Sequence, residues 1–186
     1  MPGETYSIIF ELAADQFGYV TAGQAREAGV SSMALVMMER RQVLERISRG
    51  LYRLVQFPVD PMGQYMEASL WPSGTKGIIS HESALALYNI SDVSPSRVHI
   101  TVPRSFRIRR QIPRHLAVHH ANLSDSDRDS YEGIPVTSVV RTIRDCREAR
   151  LGVEVLDRAI LDAQREGLLN QRDAEQIRDE LQIPLS

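Results

Sequence analysis

Between Arg40 and Arg53 five arginines, Arg40, Arg41, Arg46, Arg49 and Arg53, stand against a single acid, Glu45, a local charge of +4. Guanidinium groups clustered like this suit phosphate. The planar fork matches two phosphate oxygens and stays charged at every physiological pH. A second run, residues 97–114, carries six arginines and no acid. Within it Arg104, Arg107, Arg109, Arg110 and Arg114 form a possible second basic surface, for phosphate or for an acidic partner, with a solvated basic loop as the plain alternative. Residues 122–186 have the opposite balance, 14 acids against 9 arginines, so the net charge of −2 hides an uneven distribution. Lys76 is the only lysine. A codon bias would also favour Arg, so the clustering carries more weight than the composition.

Catalytic and metal-binding patterns fare worse. Asp125-Ser126-Asp127-Arg128-Asp129 has the spacing of a calcium loop, but Ser130 and Val136 occupy the positions where such a loop needs Gly and Glu. A turn rich in helix-capping Asp is the better reading. His119 and His120 are adjacent on an expected strand, so they point to opposite faces and cannot share one ion. His81-Glu82 lacks the second His of a zincin motif. A carboxylate-and-lysine nuclease centre needs an acid two residues before its Lys, and Gly74 holds that place. There is neither a Gly-rich phosphate loop nor a nucleophile elbow. No enzymatic activity, cofactor or metal is therefore expected.

The elements that would position the first arginine cluster follow from stop and start signals. Thr21 can cap a short helix, Ala22 to Ala28, that stops at Gly29. Ser31 or Ser32 can cap a second helix, Met33 to about Arg41. Leu35 and Met38 share its apolar face, and Met37, Arg40 and Arg41 point elsewhere. The apolar residues Val43, Leu44 and Ile47 then precede Ser48-Arg49-Gly50, with Leu51, Tyr52, Leu54 and Val55 after it, which is a hairpin signal. Helix, tight turn, capped helix and basic hairpin make a winged helix-turn-helix, whose second helix enters the major groove. Ser31, Ser32, Met33, Met37, Arg40 and Arg41 are the candidate groove contacts. Arg46, Arg49 and Arg53 are the candidates for backbone or minor-groove contact.

The rest of the chain reads as alternating helices and strands. An opening helix spans residues 5–16, and the winged helix runs to Phe57. Pro58 and Pro61 mark a boundary, after which Met62 to Trp71 opens a second module. A strand at 77–80, a helix from His81 to Tyr88, and strands at 98–102, 116–121 and 134–137 follow. Residues 104–114, bracketed by Pro103 and Pro113, read as a loop or an irregular hairpin. Helices at 138–150, 153–166 and 171–181 close the chain. Their apolar faces suit packing on the domain or, less often, dimerisation. The expected fold is α+β, with a winged helix-turn-helix at 1–57 and a mixed α+β domain with a helical C-terminus at 58–186.

The segment VTAGQAREAGVSSMALVMMERRQVLERISRGLYRL resembles the N-terminal winged helix of AbiEi-type antitoxins. GIISHESALALYNISD at 77–92, VHITVP at 98–103 and GIPVTSVVRTIRDC at 133–146 resemble the same family, in the same order. One departure stands between the recognition helix and the wing, where the family often has Gly and this chain has Arg41-Gln42. The resemblance implies an antitoxin that binds its own promoter, at inverted repeats, as an autorepressor. It also implies a cognate AbiEii-like nucleotidyltransferase toxin as partner, with or without lasting contact, and a dimer on DNA. Two alternatives remain: a protein-interaction module that inhibits the toxin directly with little role for DNA, and a ligand-sensing transcriptional regulator.

Length and composition agree with this reading. A chain of 186 residues accommodates one or two domains, and 42% apolar residues suffice for a core. No apolar run has the length of a membrane span and the N-terminus lacks signal-peptide character, so a cytoplasmic protein is expected. The single Cys146 has no internal disulfide partner and reads as a packed small residue.

Overall fold

The structure, a computed structural model, describes residues 3–183. It is α+β and divides into two compact units between Gly77 and Ile78. No helix among the described residues is long and apolar enough to cross a membrane.

The first unit begins with α1 (Glu4–Ala14), β1 (Tyr19–Thr21), α2 (Ala22–Glu27) and α3 (Ser32–Arg40), and continues through β2 (Leu44–Ser48), β3 (Leu51–Leu54) and α4 (Gly63–Leu70). Caps place the two central helices. Thr21 Oγ1 accepts from the Gln24 amide at 3.1 Å, and the Gln24 side chain accepts from the Thr21 amide at 2.9 Å. This reciprocal box satisfies two amides that the helix itself leaves unpaired. Ser31 Oγ accepts from the Ala34 amide at 3.1 Å and starts α3. Ile9, Ala13, Val20, Ala25, Val30, Leu35, Leu44 and Leu54 form the core beneath them. Full burial of each large aliphatic here contributes roughly 1.5–3 kcal/mol.

The wing has three strands in the order β1-β3-β2, all antiparallel. The loop of the hairpin is shorter than its sequence suggests, because Ser48 still pairs with Leu51 after a register shift between Arg46 and Ser48. Gly50, at φ +77°, makes the tight turn. At the other end of α3, Gln42 adopts φ +57°, and the Val43 amide donates to the Met38 carbonyl at 2.9 Å. The left-handed turn that Gly would make is thus made by a residue with a side chain, at roughly 1–2 kcal/mol of conformational cost.

Helix α4 belongs to the first unit and not to the second, so the observed division falls twenty residues after Phe57. Pro58 and Pro61 turn the chain without ending the unit. The Tyr19 hydroxyl donates to Glu67 Oε2 at 3.0 Å, and burial together with this carboxylate raises the Tyr19 pKa to about 12. At Gly63 an added methyl would stand 3.4 Å from the Tyr19 ring, an ordinary van der Waals contact, so α4 lies close against that ring.

The second unit contains β4 (Ile78–Ile79), α5 (His81–Leu87), β5 (Val98–Val102), β6 (Leu116–His120), a 3-10 turn (Asp125–Asp127), β7 (Arg128–Tyr131), β8 (Ile134–Thr137), α6 (Val139–Glu148), α7 (Val153–Arg165) and α8 (Gln171–Leu181). The sheet order is β6-β5-β4-β8-β7. Strands β5 and β6 are parallel, as are β4 and β8; the other neighbours are antiparallel. A hairpin cannot join parallel neighbours, which excludes the irregular-hairpin reading of residues 104–114. The segment is a loop that crosses from the end of β5 back to the start of β6. The Asp-rich stretch caps its own turn, with Asp127 Oδ2 accepting from the Ser124 amide at 2.9 Å. Helices α7 and α8 pack on α6, and Cys146 is fully buried there, its thiol pKa pushed up by burial.

The partner of His119 lies on the next strand, not beside it in sequence. As expected, His119 and His120 face opposite sides of β6, one half-buried and one exposed. His119 meets His99 of β5 and stacks on His81 of α5. Burial is the main cause that lowers the pKa of all three. His81 falls to about 3, aided by His119, His99 and Arg141; His119 falls to about 4, aided by His99, Arg97 and His120; His99 also falls, aided by Arg97.

These folded values lie below the ordinary 6.5, so the unfolded chain binds more protons in acid. The stability is full above about pH 6.5 and is lost as pH falls toward 4 and then 3, by at most about 1.4 kcal/mol per histidine per pH unit. The second unit is expected to melt at lower temperature at pH 5 than at pH 7, with a shallower decline in His119→Gln. Calorimetry across that range checks this, and identical slopes for the two proteins would refute the role assigned to the histidines.

Candidate nucleic-acid interface

Helix α3 presents one buried and one open face. Leu35 is 1% exposed and anchors it to the core, with Ala34 and Met38 packed alongside. Ser31, Ser32, Met33, Met37 and Arg40 are exposed, and Arg41 follows at the end of the helix. Met33, at 69% exposure, and Met37, at 39%, are large apolar side chains left in solvent at the i, i+4 spacing of one helix face. An unbranched thioether of this kind can pack on base edges such as a thymine methyl. Ser31 differs from the rest, since its oxygen already caps α3 with one lone pair, leaving its hydroxyl proton and a second lone pair for a base or phosphate.

The wing supplies the charge. Arg46 on β2 and Arg49 at the hairpin turn are exposed. Arg40, Arg41 and Arg46 form no ion pair with any described residue. Arg53 is placed differently. Its Nη2 donates to the carbonyls of Phe57 and Pro58, at 2.8 and 3.0 Å, and its guanidinium lies 5.9 Å from the centre of the Tyr19 ring. Arg53 therefore ties the end of β3 to the chain that follows through Nη2, which leaves its other N–H groups for a phosphate.

In the second basic run Arg104, Arg107, Arg109 and Arg114 are exposed and Arg110 is half-buried. The Arg104 amide donates to Asn122 Oδ1 at 3.2 Å, which fastens the start of the crossover loop.

Fold and surface together define a winged helix-turn-helix of DNA-binding type, followed by an α+β unit. Residues 7–55 match the family of transcriptional regulators described as AbiEi antitoxins. All the α3 and wing candidates lie within that match, and the second-unit motifs lie outside it. No curated protein matches the chain. The crystal structure of the RV2827C protein from Mycobacterium tuberculosis is similar, with a TM-score of 0.51 and 16% identity over 96% of this chain and 72% of that one. At this identity the likeness is one of fold.

The constellation that sequence reasoning missed is His81, His99 and His119. Each was visible as a residue, but their meeting depends on the β5–β6 register, in which His119 pairs with Thr101, two residues beyond His99 on the same face.

Proposed function

We propose that the chain is a cytoplasmic antitoxin that binds its own promoter as an autorepressor and neutralises a nucleotidyltransferase-like toxin. The observation that carries the DNA-binding part is the exposed face of α3, Ser32, Met33, Met37 and Arg40, beside a basic wing, within the stretch that matches AbiEi regulators. A recognition helix reads base edges through its N-terminal residues while arginines on the wing hold phosphate. Arg40, Arg41, Arg46 and Arg49 supply the positive charge, and the exposed arginines of the 104–114 loop offer a second surface for phosphate or for an acidic toxin face. Inverted repeats in the operator would bind two copies related by a two-fold axis.

Binding of the full chain to the DNA upstream of its own gene tests this reading. Arg40→Ala combined with Arg49→Ala is expected to weaken binding and to lower the log–log salt slope by about 1 for each phosphate contact removed. Unchanged affinity and slope would remove these residues from the interface. A toxin that co-purifies equally well with the double variant would place neutralisation outside the wing.

A further inference from the structure

Three imidazoles in the second unit converge from three elements. His81 opens α5, His99 lies on β5 and His119 on β6, and one ring nitrogen from each lies within 4.8 Å of the other two. His99 Nδ1 and His119 Nε2 are 3.3 Å apart. Two nitrogens bound to one tetrahedral ion at roughly 2.0–2.1 Å are themselves about 3.3–3.4 Å apart, so this pair already has the spacing of a coordination edge. The rings of His81 and His119 stack at 3.7 Å between centres and only 16° from parallel, so one of the two must rotate out of the stack for both to direct an in-plane lone pair at a shared ion.

The surroundings support ligation. Ser80 Oγ lies 3.0 Å from His81 Nδ1, and the Thr101 hydroxyl donates to that same oxygen at 2.8 Å. With Nδ1 donating to Ser80, Nε2 of His81 keeps its lone pair for a cation, which is how a supporting hydrogen bond fixes the ligating nitrogen. His81 is also held at φ +54°, a conformation rare for a residue with a side chain and concentrated at functional sites. His81 is 9% exposed, whereas His99 and His119 are half-buried, which leaves a route from solvent.

We propose that His81, His99 and His119 form a site for one divalent first-row transition metal ion of the zinc class, with three imidazole ligands and a fourth position open to water or an added ligand. Imidazole donors without a carboxylate suit zinc, cobalt, nickel or copper and disfavour magnesium and calcium. The site is independent of the DNA-binding reading, since every residue in it belongs to the second unit. The competing explanation is a stacked, hydrogen-bonded histidine core that holds no ion.

The test uses the untagged full chain, stripped with EDTA, dialysed and titrated with Zn²⁺ or Co²⁺. One equivalent is expected to bind, with the intense visible bands of tetrahedral Co²⁺ and a rise in melting temperature on Zn²⁺ that EDTA reverses. His99→Ala and His119→Gln should each weaken binding by more than the roughly 10–100-fold that loss of a supporting residue brings. His120→Ala, on the opposite face of β6, should leave it unchanged. No binding, or equal binding by His119→Gln and the unaltered chain, overturns the proposal. Should that variant fold poorly, the unaltered chain decides alone, because a weak octahedral Co²⁺ spectrum would also overturn it.

Discussion

Arg178→Ala is expected to destabilise the second unit by about 3–5 kcal/mol, the cost of leaving a buried charge without its partner. Arg178 of α8 is 5% exposed and Asp157 of α7 is 3% exposed. Their charged groups meet as an ion pair across the two helices. The alanine variant strips a buried carboxylate of its guanidinium. The Arg144–Glu180 pair between α6 and α8 is the internal comparison. It has good geometry, with two contacts of 2.6 and 2.8 Å, but its side chains are 33% and 41% exposed. Arg144→Ala should therefore change stability by less than about 1 kcal/mol. Replacing both buried partners, Asp157→Leu with Arg178→Met, should recover most of the loss, since the penalty arises from the uncompensated charge. Urea unfolding followed by circular dichroism measures all three. Similar losses for Arg178→Ala and Arg144→Ala would show that burial does not govern these pairs.

Gly18→Ala is the second large effect, and it acts in the first unit. Gly18 has φ +85°, and an added methyl would stand 2.6 Å from Phe57 Cβ. That atom is the root of the Phe57 side chain and cannot swing aside as a flexible tip would. The backbone is also committed, because the Gly18 amide donates to Ala13 and its carbonyl accepts from Leu54, at 2.9 and 2.8 Å. A left-handed alanine costs roughly 1–2 kcal/mol, and forced overpacking roughly 1–3 kcal/mol. A loss of about 3 kcal/mol is expected, with weaker DNA binding as β1 and β3 separate. Gly29→Ala isolates the conformational part. Gly29 has φ +84° with nothing within 4 Å of the added methyl, so only the backbone cost remains. Thermal unfolding of the two variants should differ clearly, and equal shifts would mean that Phe57 yields without penalty.

The two glycines also illustrate what a sequence discloses. Gly29 marks a helix end by local rules, and so do the caps Thr21, Ser31, Ser138 and Asn170, each of which accepts from an amide three residues on. The recognition helix and the β2–β3 hairpin of the wing lie within residues 31–54, so neighbours in sequence determine that surface and its residues could be named in advance. Long-range pairing was not legible. Strand β1 has three residues and β7 has four, too short for alternation to register. Arg53 looked like its arginine neighbours, and only the fold of residues 57 and 58 around it shows where its charge goes. The histidines at 81, 99 and 119 are each about twenty residues apart, and only strand pairing brings them together.

The strand order of the second unit has a consequence in time. In the first unit, β1 pairs with β3 and β3 with β2, so the last wing residue needed is Leu54. In the second unit, Ile79 of the central strand β4 pairs with Val136 of β8. That contact closes a far longer loop and must wait for most of the chain to be made. Emerging from the ribosome, the winged helix can complete itself while the sheet behind it still lacks a central partner. Each new molecule thus passes through an interval in which its proposed DNA-contacting surface exists and its second unit does not.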